Sequence, residues 1–192
     1  IPAMADFTLM SEKTAKVFSE RVREEMSFLN MPNVQIVTQF ENTDFYEKGT
    51  DKVEFLISAN PGEPPRPVAK IASGGELSRM MLAIKTVLAS TEDIDTLIFD
   101  EVDTGISGSA AQKVGLKLKE VSKSSQVLCV THQAQLAALA DAHYLISKQV
   151  EDGRTFTQVK LLDFDGRKHE LARIIDAALA HAESMLKESE IL

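Results

Sequence analysis

The chain has 192 residues, of which 44% are hydrophobic and 26% charged, and this composition is typical of a globular protein rather than of a disordered one. Its formal net charge of −8 argues against a broad nucleic-acid-binding surface, because nonspecific affinity for DNA comes mostly from phosphate neutralisation by Lys and Arg. The apolar runs are far shorter than the roughly 20 residues that span a bilayer, and the single Cys129 excludes an internal disulfide, so we expect a cytoplasmic protein.

The first third of the chain predicts one helix followed by two strands. Residues 11–30 are strong helix formers with one apolar stripe, and Pro32 follows the last of them, so one helix is expected here. Residues 34–40 and 53–58 alternate apolar and polar side chains, which predicts two half-buried strands that pair antiparallel. The prolines of residues 60–67 predict an extended connector.

The rest of the chain alternates helices with short apolar strands. The first predicted element is a helix from the glycines at 74–75 to Ala89, with Met80 and Met81 on its apolar stripe. It is followed by buried strands at 96–99 and 126–130, helices at 107–121 and 133–141, and a strand at 143–148. Strands separated by such helices predict a parallel sheet with right-handed crossovers. A hairpin follows, with its turn at 150–154 and its second strand at 155–162. A last helix starts at Asp165 and has a buried stripe that includes Leu171 and Ala178, and a polar tail from Glu183 is expected to fray.

The sequence ASGGELSR at residues 72–79 lies where a loop becomes a helix. Unpaired backbone amides, the hydroxyl of Ser73 and the positive end of the helix dipole converge there, an arrangement that suits a phosphate. The alternative is an ordinary helix start in which Ser73 and Glu76 form a capping box. The consecutive Gly74 and Gly75 favour the phosphate site, because they let another molecule come close to the backbone.

Two acidic residues, Asp100 and Glu101, end the apolar strand at 96–99 within the sequence LIFDEVDTG. Open α/β sheets bind ligands outside the carboxyl ends of their strands. One carboxylate of such a pair can hold Mg²⁺, directly or through water, while the next orients or deprotonates an attacking water. A surface turn with two solvated acids is the alternative, and the purely apolar residues 97–99 argue against it.

His132 follows the second buried strand, so we expect it at the same sheet edge as Asp100, where it could touch a terminal phosphate. A histidine whose hydrogen bonds are satisfied within the protein is the alternative. Cys129 lies inside that strand and is interpreted as core packing. The other histidines show no metal-ligand spacing.

A lysine-rich stretch at residues 113–123 is opposed only by Glu120. It is either a solvated helix face or a local DNA-binding patch, and a solvated face is the more ordinary interpretation of such a run.

The chain has no P-loop, because a GxxxxGK[ST] motif needs Gly followed directly by Lys and this pair does not occur. Residues outside this chain are therefore needed to bind the phosphates of any nucleotide. The chain also starts at Ile1 rather than at Met, so we expect a piece of a longer protein.

The order SGGE, an apolar strand ending in DE, VDTGISG and TH is similar to the second half of an ATP-binding-cassette (ABC) ATPase of the SMC-like kind. The spelling resembles the RecN family of bacterial DNA repair proteins, on IASGGELSRMMLAIK at 71–85, TLIFDEVDTGISGSAAQKVG at 96–115 and QVLCVTHQAQLAALADAHYLISK at 126–148. Glu76, where transporters usually have Gln, and the TGISG that follows the acidic pair both point toward RecN.

This resemblance implies the C-terminal lobe of an ABC-type P-loop NTPase head, an α/β fold with a mostly parallel sheet flanked by helices, an antiparallel hairpin and the stub of a coiled-coil helix. Residues 1–32 would be the returning end of the coiled coil and residues 33–192 the lobe itself. The P-loop would lie in an N-terminal lobe of the same polypeptide, so the fragment should be inactive alone.

In this family two heads sandwich two ATP molecules, and the signature motif of one head caps the nucleotide held by the other. Asp100 would then hold Mg²⁺, and Glu101 and His132 would be catalytic on the nucleotide of their own head. The residues expected to contact the second head's ATP in trans are Ser73, Gly74, Gly75 and Glu76 of the signature motif and Asp103 and Gly105 of the D-loop.

The resemblance further implies ATP hydrolysis in the full-length protein at a head–head homodimer interface, acting on DNA in double-strand-break repair, with a bacterial, nucleoid-associated location and no membrane. Two alternatives stay open. One is the head of another SMC-like chromosome-structure ATPase, and the other is a non-hydrolysing dimerisation or docking module.

Overall fold

Helices and strands alternate along the chain, and the predicted α/β class is confirmed. The computed structural model describes residues 2–46, 49–58, 62–70, 74–88, 94–151, 153–175 and 179–189. Among these residues no helix is long and apolar enough to cross a bilayer. The elements are α1 (Pro2–Phe28), β1 (Gln35–Tyr46), β2 (Gly49–Ser58), β3 (Arg66–Pro67), a 3₁₀ turn (Val68–Lys70), α2 (Gly74–Leu88), β4 (Thr96–Phe99), α3 (Gly108–Val121), β5 (Gln126–Cys129), α4 (Ala134–Leu139), β6 (Tyr144–Glu151), β7 (Arg154–Leu161), α5 (Phe164–Ile175) and α6 (Leu179–Ser189).

Helix α1 buries the apolar stripe that the sequence predicts. Val22 and Met26 have no exposed surface, and neither has Leu29 just beyond the helix. The helix ends two residues before the predicted boundary, because Asn30 adopts a left-handed φ of 65°. The amide of Met31 donates to the carbonyl of Met26 at 2.9 Å, and that of Asn30 to Ser27 at 3.2 Å, which is the Schellman pattern of helix termination.

The two predicted strands after α1 form an antiparallel hairpin, as expected, and both are longer than predicted. One face of the hairpin packs on α1, where the rings of Phe18 and Phe55 lie 5.4 Å apart between centroids. The predicted connector forms the short edge strand β3 beside β2, a position that tolerates proline because an edge residue needs no ladder hydrogen bond on its outer side.

The main core lies between α1, α2, α3 and the parallel strands. Met80 and Leu82 of α2 and Val114 of α3 are completely buried in it. Met81, which the sequence places on the buried stripe of α2, is 37% exposed, so that prediction was wrong. The predicted last residue of this helix, Ala89, lies outside the described residues.

Strands β4 and β5 pair in parallel, as predicted, with Ile98 opposite Leu128. One face of this pair meets the core through Phe99, which is 5% exposed. On the other face Ile98 is 70% exposed and Leu128 46% exposed, so the prediction of fully buried strands was wrong. These two strands are apolar on both faces, but the described residues cover only one of the two faces.

The third predicted strand of the parallel sheet has a different partner. Among the described residues β6 pairs with β7, and not with β5, so its predicted place in the parallel sheet was wrong. The predicted hairpin is confirmed, and Gly153 supplies the positive φ of 74° that its turn requires. One face of this hairpin carries exposed Tyr144 and Ile146, at 56% and 59%.

The C-terminal helices form a second, smaller core with α4, centred on Leu171, which is fully buried, and Leu186, which is 2% exposed. The polar tail, which was expected to fray from Glu183, is helical as far as Ser189 in the structure. Ala178, predicted on the buried stripe, lies outside the described residues. Arg167 of α5 donates to carbonyl oxygens at the end of α4, namely those of Ala137 at 3.3 Å, Ala138 at 3.1 Å and Ala140 at 2.6 Å.

Candidate functional site at the carboxyl ends of β4 and β5

The loops that follow β4 and β5 start side by side at one edge of the parallel sheet. The amide of Val130 donates to the carbonyl of Phe99 at 2.9 Å, which continues the strand ladder to the last residue of β4. Asp100 follows Phe99 directly, and His132 lies two residues after Val130. The structure therefore brings Asp100 and His132 to the same edge, as the sequence predicts.

The carboxylate of Asp103 ties these two loops together. It is only 1% exposed, and it accepts hydrogen bonds from the hydroxyl of Thr131 and, at 3.1 Å, from the amide of His132. The Nδ1 atom of His132 lies 3.4 Å from the same oxygen. Sequence reasoning assigned Asp103 to nucleotide contact, whereas in the structure its carboxylate is engaged inside the lobe.

The neighbouring residues of the β5 loop strengthen this tie. Gln133 donates from its side chain to the carbonyl of Ile106 at 3.1 Å, and its amide donates to the hydroxyl of Thr131 at 3.0 Å. The imidazole of His132 is 71% exposed, although its backbone is fixed. Sequence reasoning gave no role to Thr131 or Gln133, and the only available signal was their position on either side of His132.

Helix α2 binds the loop after β4 from the other side. The hydroxyl of Ser78 donates to the carbonyl of Asp100 at 2.7 Å. The Nη1 atom of Arg79 donates to the carbonyls of Val102 at 3.3 Å and Thr104 at 2.8 Å. Sequence reasoning included both residues in the ASGGELSR motif but gave neither side chain a role of its own.

Arg79 is 7% exposed, an unusual burial for a cation. Burial lowers the pKa of its guanidinium below the ordinary value, while the negative charges of Glu76 and Asp103 act in the opposite direction. The buried cation is thus accompanied by a buried anion, Asp103, and by carbonyl acceptors, as the cost of burying a charge requires.

The glycines at the start of α2 allow this loop to come close. A Cβ atom on Gly75 would lie 2.8 Å from the carbonyl oxygen of Thr104 and 3.2 Å from that of Glu101. A Cβ atom on Gly74 would meet only the end of a flexible side chain, Oε2 of Glu101, at 2.5 Å. The close approach that the glycine pair predicts is therefore made, at Gly75, by the protein's own loop.

Glu101 has a left-handed backbone with φ of 58°, whereas its carboxylate is exposed beside Gly74. For a residue other than Gly, Asn or Asp this conformation costs about 1 kcal/mol or more, and such strain is concentrated at functional sites. The surrounding contacts must therefore hold it.

Asp100 is exposed at the strand end, and the described residues contain no group of three or more His, Cys, Asp or Glu side chains that could hold a metal ion. Mg²⁺ is commonly bound by one or two carboxylates together with substrate phosphates rather than by an all-protein cage. Asp100 fits that kind of ligand set, which needs a nucleotide to complete it.

The remaining predicted residues lie at the start of α2 and in the loop after β4. Gly74 is the first residue of α2, and Glu76 lies in its first turn. Ser73 lies outside the described residues, so neither its phosphate role nor its capping role is tested. Gly105 has a positive φ of 76°, which turns the chain toward α3.

The lysine-rich stretch on α3 is partly committed to α1. The ammonium of Lys117 lies 2.7 Å from Glu25 and 2.8 Å from Glu120, and its side chain is only 12% exposed. Partial burial lowers the pKa of Lys117, but hydrogen bonds to Glu120 and Glu25 raise it more, so it lies above its usual value. The ammonium groups of Lys113 and Lys117 also lie 5.5 and 5.2 Å from the ring centre of Phe28. This part of the stretch is therefore an intramolecular contact rather than a solvated face.

Substitution of the two glycines should have unequal effects on the stability of this chain. We expect Gly75→Ala to lower the free energy of unfolding by about 1–3 kcal/mol, because the new methyl group collides with backbone atoms that cannot move independently. Gly74→Ala should change it by less than about 1 kcal/mol, because only the Glu101 carboxylate must move and alanine is the better helix former. Urea unfolding followed by circular dichroism measures both, and equal losses would contradict the close packing at Gly75.

The fold is that of SMC ATPase heads. The chain is similar to an Smc head domain with a coiled coil and joint from Pyrococcus yayanosii, with a TM-score of 0.59 and 21% identity over 86% of this chain and 30% of that one. It is also similar to a chain from a study of ATP-driven dimerisation and DNA-stimulated activation of SMC ATPases, with a TM-score of 0.52 and 22% identity over 86% of this chain and 96% of that one. At these identities the likeness shows the fold alone, which is that of the C-terminal lobe of SMC head domains.

The sequence comparison is more specific, although no protein-family model matches the chain. The DNA repair protein RecN of Halalkalibacterium halodurans is 43% identical over 176 residues, which cover 89% of this chain and 31% of that protein. RecN of Treponema pallidum is 44% identical over 193 residues, which cover 94% of this chain and 34% of that protein. The chain therefore corresponds to the C-terminal part of RecN proteins, and it spans about a third of the length of these relatives.

Proposed function

We propose that this lobe is part of a RecN-type ATPase that binds and hydrolyses ATP at a head–head interface in order to act on DNA in double-strand-break repair. One observation carries the proposal: the start of α2, the loop after β4 and the loop after β5 are joined at one sheet edge through Asp103 and Arg79. The DNA repair function named for the relatives and the ATP-driven dimerisation named for an SMC neighbour support it.

On the nucleotide of its own head, we assign different tasks to the three polar residues at the sheet edge. Asp100 would hold Mg²⁺, directly or through water, and the ion would neutralise phosphate charge when bound. Glu101 would accept the proton of the attacking water, and His132 would contact the terminal phosphate. The exposed imidazole of His132 on a fixed backbone supports that assignment.

On the nucleotide of a second head, the start of α2 would act as the cap. The first amides of an α-helix lack intrahelical partners and lie at the positive end of its dipole, so they suit a phosphate. The residues assigned to this cap are Ser73, Gly74, Gly75 and Glu76, with Gly105 in the adjoining D-loop. Asp103 would contribute to the same interface by fixing the loops rather than by touching the nucleotide, because its carboxylate is buried.

An N-terminal lobe of the same polypeptide would supply the P-loop and cover the apolar face of β4 and β5. Ile98, Leu128 and Val130 are 70%, 46% and 53% exposed, a continuous apolar surface of the kind that marks an interaction site. Residues 1–32 would be the returning end of a coiled coil that links the two lobes, and residues 33–192 would be the C-terminal lobe. The lobe alone would then be inactive.

We also propose a cytoplasmic, nucleoid-associated protein that binds DNA and no membrane. With a net charge of −8 and the ammonium of Lys117 paired with Glu25, the lysine-rich stretch is not the main DNA contact of this proposal. Surfaces of the second head, the N-terminal lobe or the coiled coil would make more of the contacts with DNA.

Calorimetry tests this function most directly. ATP titrated into this chain alone should give no Mg²⁺-dependent heat, whereas the chain mixed with its N-terminal lobe should bind ATP with Mg²⁺-dependent heat and then hydrolyse it. A mixture that forms a stable complex of the two lobes but shows no nucleotide heat would instead favour a dimerisation or docking module. The length of the coiled coil between the lobes would distinguish a RecN protein from another SMC-like chromosome-structure ATPase.

A further inference from the structure

We infer that Arg79, assisted by Ser78, is a positioning residue that sets the orientation of Glu101. This inference rests on the proposed function and deepens it, because it names two side chains, without an assigned role so far, that control the assigned base. Neither side chain is proposed to touch the nucleotide. Both would act through the backbone of the loop after β4, which they bind from α2.

The hydrogen bonds of Ser78 and Arg79 fall on alternate residues of this loop. The carbonyls of Asp100, Val102 and Thr104 accept them, at 2.7, 3.3 and 2.8 Å. Glu101 therefore lies between two residues whose carbonyl groups are both fixed to α2. Its own carbonyl accepts the amide of Thr104 at 3.1 Å and closes a tight turn.

The three hydrogen bonds from Ser78 and Arg79, which we call the clamp, hold the backbone on both sides of the strained Glu101. A left-handed φ of 58° in a glutamate persists only where the surroundings determine it, and here the flanking hydrogen bonds come from α2. The same conformation brings the carboxylate beside Gly74, at the start of the helix that carries Arg79. Without the guanidinium, the loop can relax toward an ordinary backbone, and the carboxylate then leaves this position.

The environment of Arg79 suits a buried cation. A single atom, Nη1, donates to two carbonyls, and the anionic Glu76 and Asp103 favour its charged form. Asp103 in turn holds the His132 loop, so one buried cation lies between the elements assigned to the base and to the phosphate contact. Lysine keeps the charge but differs from arginine in length and shape and does not place its nitrogen where Nη1 lies, so Arg79→Lys should restore the function of Arg79 only in part.

A double-mutant cycle in the full-length protein tests this role. Arg79→Met should lower the kcat of ATP hydrolysis by about 10- to 100-fold, the scale expected for a displacement of about 1 Å at a catalytic group, and change the KM for ATP by less than about threefold. Arg79→Lys should recover part of the loss. In a Glu101→Gln background, Arg79→Met should cause little further loss, because residues that act as a unit are not additive.

Leu82→Ala is the matched control, since Leu82 lies on the same helix, is fully buried and has no side-chain group that can donate a hydrogen bond to the loop. It should lower the melting temperature yet leave turnover per folded head unchanged. If Arg79→Met behaves like Leu82→Ala, or if the losses from Arg79→Met and Glu101→Gln multiply, Arg79 is only structural and the inference is overturned. Wild-type turnover in Glu101→Gln alone would instead overturn the base assignment of the proposed function, and the inference with it.

Discussion

Replacing Glu101 by glutamine in the full-length protein should slow ATP hydrolysis by about 10²- to 10⁴-fold, the usual contribution of a general base, while ATP binding stays close to its normal strength. Glutamine has nearly the same size, so the contact beside Gly74 and the clamp on the flanking carbonyls can persist. The amide cannot accept the proton of the attacking water. Because hydrolysis would then no longer open the interface, ATP-bound dimers should accumulate.

Single-turnover hydrolysis and analytical ultracentrifugation with Mg-ATP measure these two effects of Glu101→Gln. Glu54→Gln neutralises a carboxylate at an exposed position of β2, controls for the loss of one negative charge and should leave both quantities unchanged. A Glu101→Gln protein that turns over at the wild-type rate would remove Glu101 from the base role. Slow hydrolysis without accumulated dimers would retain the base and argue against a head–head interface that opens on hydrolysis.

The sequence predicted most elements of the fold, and the misses have identifiable physical causes. The spacing of Val22 and Met26 was sufficient to locate the buried face of α1, because a helical period is a local property. Its exact end depended on Asn30, whose left-handed conformation is only one of several that a polar residue after a helix can adopt.

The prediction that β4 and β5 are fully buried was wrong for a physical reason. Ile98 and Leu128 belong to strands that are apolar on both faces, the pattern of strands covered on both sides. The described residues cover one face. An apolar pattern on both faces is what the N-terminal lobe that we propose as a second cover would require.

Within the site, sequence reasoning located the loops but not their internal contacts. The predicted parallel pairing correctly brought Asp100 and His132 to one edge. It did not show that Asp103 is buried against Thr131, because a motif gives the order of residues and not the direction in which a side chain points. The ion pair between Lys117 and Glu25 likewise joins distant parts of the chain, so the local charge pattern does not predict it.

Gly75 shows how a correct rule can lead to an incomplete interpretation. Consecutive glycines did indicate a close approach, and the structure has one, between α2 and the carbonyl of Thr104. The approaching atoms belong to the same lobe rather than to a ligand. The site thus has two surfaces around one helix start: an inner one that packs on the loop of Glu101, and an outer one that we assign to the nucleotide of a second head.

Ser73→Arg tests the outer surface and should abolish ATP-dependent dimerisation in the full-length protein. The position directly precedes α2, so a long cationic side chain there would occupy the space in which the second head's phosphates must approach. A cation near a helix N-terminus costs only about 0.3–1 kcal/mol, so the fold should survive. Ser184→Arg, on an exposed position of α6, adds the same charge elsewhere and should leave dimerisation intact.

Mixing two inactive proteins then decides whether the start of α2 acts in trans. A Ser73→Arg head keeps its P-loop, and a head with an inactivated P-loop keeps its signature motif. In a mixed dimer one nucleotide site combines both intact halves, while the introduced guanidinium faces the site that holds no nucleotide. Mixing should therefore restore measurable hydrolysis if Ser73 caps the other head's ATP. No gain on mixing, together with unchanged ATP-dependent sedimentation of Ser73→Arg alone, would place its action within a single head.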